Sequence, residues 1–254
     1  SNFNGLYAGT LNVTSNTSAN GSLTISGSSN TGSGIWASSN LTATNSGNGS
    51  INISGTTNGD TTSYARGIYV AGVLSANNNG TSGNISISGN ASQSNSEGLS
   101  AYTMNIVSNT SGNSSIVIGG ESGTGNGLAG FENSNFIATN NGNGHIAIHG
   151  ASISGSGIRG YNSVMTLTNS GNGSIVVNGT AGAGGGVNLE SGSSLTVTNS
   201  GNGSVNISGS SNSAHGLYVA SNLTAANSGN GSINISGATN GDTTSYARGI
   251  YVAG

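Results

Sequence analysis

The stretch Leu195-Thr-Val-Thr-Asn-Ser-Gly-Asn-Gly-Ser-Val-Asn-Ile-Ser-Gly209 holds two short alternating segments around a turn. In Leu195-Thr-Val-Thr-Asn199 and again in Val205-Asn-Ile-Ser-Gly209, every second residue is aliphatic. Alternation with period two marks a β-strand with one buried face. The turn between them, Asn-Ser-Gly-Asn-Gly-Ser, recurs at 45–50, 169–174 and 227–232. Its Asn-Gly and Gly-Asn-Gly steps are expected to supply positive-φ positions at tight corners. A further segment, the first of each unit, is typified by Gly216-Leu-Tyr-Val-Ala220; the two above are the second and third.

The Gly-aliphatic pair that opens this first segment sets the period. It falls at Gly5, Gly34, Gly67, Gly98, Gly127, Gly157, Gly186, Gly216 and Gly249, with spacings of 29, 33, 31, 29, 30, 29, 30 and 33 residues. That makes eight full units and the start of a ninth. Three strands and three corners in about 30 residues predict an all-β fold, a parallel β-helix, with one unit per rung. The inward residues are predicted to include Leu6, Ala8, Ile35, Ala37, Ile68, Val70, Leu217 and Val219 in the first segment. The second contributes Leu11, Val13, Leu41, Ala43, Met165, Leu167, Leu195 and Val197. The third contributes Leu23, Ile25, Ile51, Ile53, Ile85, Ile87, Ile146, Ile148, Val205 and Ile207. One coil cannot bury these residues; stacked coils can. A helical solenoid is excluded because no segment shows a 3.6 period. A propeller blade needs a longer unit.

Residues 39–72 and 221–254 differ at two of 34 positions, Thr44/Ala226 and Thr56/Ala238. The offset of 182 residues is six rungs, so a longer repeat overlies the rung repeat. Neither end carries a polar cap, which predicts that 1–254 is one β-helix segment, an uncapped window of a longer array.

Composition narrows the function classes. Gly accounts for 47 residues, charged residues for 4%, and Cys and Pro are absent. The basic residues are Arg66, Arg159 and Arg248, and net charge is −3. Such a chain cannot neutralise a row of phosphates, so no nucleic acid is expected as partner. No apolar run approaches the length of a membrane span. No signal-peptide pattern opens the chain, which starts in mid-repeat.

The Gly-aliphatic-Tyr-Val, Leu-Thr-Val-Thr-Asn and Ile-Asn-Ile-Ser-Gly segments resemble the repeats of filamentous-haemagglutinin-like exoproteins of two-partner secretion, and secondly autotransporter passengers. The resemblance covers the whole chain, whose rungs are longer than the haemagglutinin-type repeat. It implies a right-handed coil, an extracellular or bacterial cell-surface location, and an outer-membrane transporter as partner during export. It further implies a structural shaft that serves adhesion, aggregation or biofilm, with self-association into fibres and host or surface glycans as candidate partners.

No catalytic, cofactor or metal site is expected, and the chain reads as no enzyme. Asp60, Glu97 and Glu121 fall in the closing loops of three successive rungs, the one arrangement from which a glycan-cleaving pair or a Ca²⁺ site could be built. The rival reading is therefore a glycan-binding or glycan-cleaving β-helix. His145 and His149 flank a strand, roughly 13 Å apart, too far to share one metal. Two columns and one ladder remain. The position after the Gly-aliphatic pair is Tyr7, Trp36, Tyr69, Ser100, Ala129, Arg159, Asn188, Tyr218 and Tyr251. Its five aromatics form a candidate surface-contact column. A Thr-x-Thr column (Thr42/Thr44, Thr166/Thr168, Thr196/Thr198) suggests an ice-binding plane, broken at Ser75/Asn77, Asn105/Val107 and Ile137/Thr139. The first Asn of the turn, at Asn45, Asn140, Asn169, Asn199 and Asn227, is expected to stack into a structural amide ladder.

Overall fold

The computed structural model describes residues 3–16, 20–58, 65–91, 96–133, 135–241 and 246–253. The described residues contain strands and turns and no helix. The chain is a parallel β-solenoid of about eight turns. Equivalent residues of successive units lie in register. The aliphatic residues that follow the opening glycines form one line: Leu6, Ile35, Ile68, Leu99, Leu128, Ile158, Val187, Leu217 and Ile250. In the third wall Leu23, Ile51, Ile85, Ile116, Ile146, Ile175, Val205 and Ile233 do the same.

The predicted inward residues of the central rungs are buried in one continuous core. Leu6, Leu11 and Val13 are half-buried because the outermost rung has a neighbour on one side only. Full burial of an Ile or Leu side chain contributes roughly 1.5–3 kcal/mol. Each wall offers two such positions per rung, so the core grows with every coil added.

Three details depart from the alternation pattern. First, the third-wall strands are seven residues long, as in Ile51–Thr57 and Ile116–Ser122, rather than five. Their fifth and seventh residues also face inward, but the fifth is glycine and the seventh is Ser, Thr or Ala, so neither reads as apolar. Glu121 consequently lies on a strand, not in a closing loop. Second, the first and second walls are not always separate. Ile68–Asn78 and Leu99–Ser108 each run through both, joining the two walls into one 15-stranded sheet beside the eight-stranded third wall. A register shift between Val70 and Val73 replaces the corner there. Third, Gly83 is the one turn glycine with positive φ among the described residues; the conformation otherwise falls at Gly130 and Gly192, and at Asn133, Asn162 and Ser191, on the corner between the first two walls. The turn positions demand glycine for a different reason. A Cβ on Gly171, Gly173, Gly201 or Gly203 would overlap the carbonyl of the turn glycine one rung below.

The glycine that opens each rung has a similar cause. Gly55, Gly89, Gly150 and Gly209 on the third wall face Gly67, Gly98, Gly157 and Gly216 at the start of the first wall. A Cβ on any of the former would overlap the carbonyl oxygen of the latter. Two glycine columns thus let the walls meet backbone to backbone beside the closing loop. The inward Ser or Thr two residues on ties that loop down. The hydroxyl of Thr57 donates to Gly32 O (2.7 Å), Ser122 to Ser96 O (2.6 Å) and Ser211 to Gly184 O (2.7 Å), each reaching the loop of the preceding rung.

Candidate functional site

The first wall carries the column of outward side chains in the order read from the sequence. Tyr7, Trp36, Tyr69, Ser100, Ala129, Arg159, Asn188, Tyr218 and Tyr251 are successive register partners. Parallel pairing places each about 4.8 Å above the last, which is close to ring-stacking distance. Trp36 and Tyr69 lie with centroids 4.5 Å apart, tilted by 55°. Tyr218 and Tyr251 stack at 5.4 Å and 15°. Arginines extend both groups: the Arg66 guanidinium lies 4.3 Å from the Tyr69 ring centroid and Arg248 4.5 Å from that of Tyr251. Arg66 and Arg248 are equivalent residues of the duplicated rungs, so the motif repeats with the six-rung period. Tyr7 is exposed; Trp36, Tyr69, Tyr218 and Tyr251 are half-buried.

The second group includes a residue the sequence reading did not single out. His215 stacks on both Tyr218 and Tyr251, with centroids 5.4 Å from each. Its Nδ1 accepts the backbone N–H of Arg248 at 3.0 Å. Burial holds the imidazole below its ordinary pKa, and the Arg248 charge adds to this. As pH falls from about 7.5 to about 5.5, the unfolded chain takes up a proton at this histidine before the folded chain does, so stability is lost with acidification. The thermal midpoint is expected to fall over that window, and to fall less in His215→Gln. An equal fall in both proteins removes His215 as the cause.

Between the two aromatic groups the column is floored by small side chains. Ser100 and Ala129 are buried, and the surface dips into a bay of about 350 Å³. Tyr69 and Arg66 stand at one end and Arg159 and Tyr161 at the other, with the exposed Tyr102 beside the floor. Two ion pairs fix the guanidinium groups. Arg66 Nε donates to Glu97 at 2.6 Å, and an Arg159 terminal N–H donates to Glu190 at 3.2 Å. The position of the column was legible in the sequence. The bay was not, because it depends on which outward residues are short.

The turn Asn forms the expected ladder, with changes in membership. Asn78 belongs to it, and Ser15 and Ser108 occupy the equivalent place in their rungs. Asn45, Asn78, Asn140, Asn169 and Asn199 are fully buried. Asn169 Nδ2 donates to Asn199 Oδ1 at 3.0 Å, and Asn199 Nδ2 to Asn227 Oδ1 at 3.1 Å. Each amide also caps its own turn, as Asn199 does by donating to Gly203 O at 2.6 Å and Gly201 O at 3.2 Å. Asn140 and Asn169 are register partners, yet Asn169 Oδ1 has no hydrogen bond among the described residues. The second Asn of the turn builds a parallel ladder on the surface. Asn143 Oδ1 accepts the backbone N–H of Asn172, Asn172 Oδ1 that of Asn202, and Asn202 Oδ1 that of Asn230, each at 3.2 Å. Asn199→Ala would deprive the half-buried carbonyls of Gly201 and Gly203 of these bonds and break the amide chain from Asn169 to Asn227. It is expected to cost about 2 kcal/mol, read as a shift in denaturation midpoint, whereas Asn202→Ala on the surface ladder should cost a few tenths. Equal losses would remove the distinction between the two ladders.

The remaining candidates do not converge on one centre. Asp60 lies outside the described residues. Glu97 is held by Arg66, and Glu121 accepts the side-chain N–H of Asn90 at 3.0 Å. His145 and His149 are both exposed, and His145 Nδ1 accepts the backbone N–H of Ser174 at 2.9 Å. Glu121 and His149 line one shallow depression on the third wall, where Gly119 bears no side chain. No group of three metal-ligating side chains occurs among the described residues. The Thr-x-Thr column keeps its register but has the interruptions seen in the sequence.

No family model, curated protein or solved structure matches the chain. The functional reading therefore rests on the geometry. No helix of the described residues is long and apolar enough to cross a membrane.

Proposed function

We propose that this chain is part of the structural shaft of an extracellular bacterial adhesin or fibre that serves adhesion, aggregation or biofilm. The observation that carries the reading is one-dimensional growth. Each rung pairs in register with the rung below and the rung above, in both sheets, over eight turns. A fold of this kind adds length and stability together, since each coil contributes its own core and interfaces. Eight rungs at about 4.8 Å span roughly 38 Å, and the duplicated rungs supply a unit of six rungs, roughly 29 Å, able to repeat. The outer surface is mostly short Ser, Thr, Asn and Gly side chains, with the aromatic column as its departure. Transport through an outer-membrane pore, in the unfolded state, suits a chain with 4% charged residues and no Cys.

The test is to display the chain on the surface of a non-aggregating bacterium and measure cell–cell clumping and attachment to a solid surface. The displayed chain is expected to raise one or both. Replacing Tyr7, Trp36 and Tyr69 together by Ser should lower self-association without changing the β-sheet signal in circular dichroism. Display that leaves clumping and attachment at background overturns the shaft reading. A triple variant that adheres like the parent shows that the aromatic column is local packing.

A further inference from the structure

We propose that the bay on the first wall between Tyr69 and Arg159 binds a neutral saccharide, a short run of pyranose rings lying along the fibre axis. The inference rests on the bay itself and adds a ligand class to the shaft reading. Four properties select that class.

The first is shape. The bay is about 350 Å³, within the range of small-ligand sites, about 300–1,000 Å³. Tyr69 and Arg159 are three rungs apart, so the bay extends roughly 14 Å along the axis. It is a slot, and its occupant should be elongated.

The second is the aromatic lining. Tyr69, Tyr102 and Tyr161 border the slot, and the latter two are 52% and 41% exposed. A phenol ring offers a flat apolar face with a polar tip. The C–H face of a pyranose packs on such a ring while its hydroxyls remain free to bond.

The third is charge. Arg66 and Glu97 line the slot as an ion pair, and Arg159 is paired with Glu190 outside the lining, so each guanidinium is matched by a carboxylate. A polyanion gains little there, whereas hydroxyl groups find both planar N–H donors and carboxylate acceptors.

The fourth is the floor. Ser100 and Ala129 stand where the same column carries Tyr69 one rung below and Arg159 one rung above. Two adjacent small residues in a column whose other members are Tyr, Trp, Arg and Asn leave the depth of a large side chain vacant.

The test uses the full chain, immobilised, against a printed panel of neutral glucose-, galactose- and N-acetylglucosamine-terminated oligosaccharides, with sialylated and sulfated counterparts on the same panel. At least one neutral glycan is expected to be captured. Ser100→Tyr, which restores the ring Tyr69 carries one rung below, should fill the slot and reduce capture at least tenfold. Tyr102→Ala removes an exposed ring, preserves the fold by circular dichroism, and should also reduce capture. Tyr7→Ser, outside the slot, should not. No captured glycan, capture confined to the acidic glycans, or capture unchanged in Tyr102→Ala overturns the proposal. These outcomes are separable from the shaft reading, because clumping and attachment of displayed cells are measured without added saccharide.

Discussion

Gly150→Ala is expected to destabilise the protein by about 3 kcal/mol or more, while Gly119→Ala, on the strand one rung below, leaves it unchanged or makes it more stable. Gly150 faces Gly157, and an added methyl would overlap the Gly157 carbonyl and approach the Ile158 side chain. The obstacle is backbone on both sides, fixed by hydrogen bonds between rungs. The Gly157 N–H donates to Gly185 O at 3.0 Å and the Ile158 N–H to Gly186 O at 2.9 Å. Neither wall can retreat without breaking its ladder, so the strain sits at or above the upper end of usual overpacking costs, about 1–3 kcal/mol. Gly119 differs only in which way it points. It lies on the outer face of Ile116–Ser122, and a methyl there meets nothing within 4 Å. Its backbone is not in the left-handed region, so alanine restricts the unfolded chain without strain, a gain of about 0.4–1 kcal/mol. Urea denaturation of the two variants checks this. Equal destabilisation would mean that the glycine columns do not mark the closure of the walls.

Ile53→Asp should cost about 3–5 kcal/mol, and Ser54→Asp, its neighbour, less than about 0.5 kcal/mol. Ile53 is 1% exposed within the cylinder, between Ile25 and Ile87 of the adjacent rungs. A carboxylate there has no partner and displaces aliphatic packing on both sides. Ser54 points to solvent. Because rungs couple to nearest neighbours, hydrogen exchange in Ile53→Asp should speed up first in the strands Leu23–Ser29, Ile51–Thr57 and Ile85–Ala91. Loss of protection spread evenly over all rungs would contradict nearest-neighbour stacking.

The fold class and the rung boundaries were readable from the chain because both rest on local order. Alternation of Leu, Val and Ile with Thr, Asn and Ser is a property of residues i and i+2. Once the period near 30 is known, stacking in register follows from the need to bury one face of every strand. The same local order puts the outward residues from Tyr7 to Tyr251, and the turn Asn, at equivalent places in successive rungs; Asn78 escapes it because its turn, Asn-Asn-Gly-Thr-Ser-Gly83, is one residue longer than those of the other ladder Asn residues.

What the tertiary structure alone decided was how each circuit of the coil closes. Glycine was read as a source of positive φ, yet at the turns and at the wall junction it is required because another backbone lies within reach of a Cβ. Gly89 and Gly98 are separated by a loop, and Gly171 and Gly142 by a whole rung; no short-range pattern announces that either pair touches. The inward Ser and Thr at the ends of the third-wall strands were missed likewise, since a hydroxyl facing a loop carbonyl resembles any surface hydroxyl in sequence. The bay has the same origin. Ser100 and Ala129 are ordinary residues in a chain rich in both, and they become a floor only because Tyr69 and Arg159 stand above and below them in space. Period-two alternation is written along the chain, but concavity depends on side chains about 30 residues apart, which only the closing and stacking of the coil bring together.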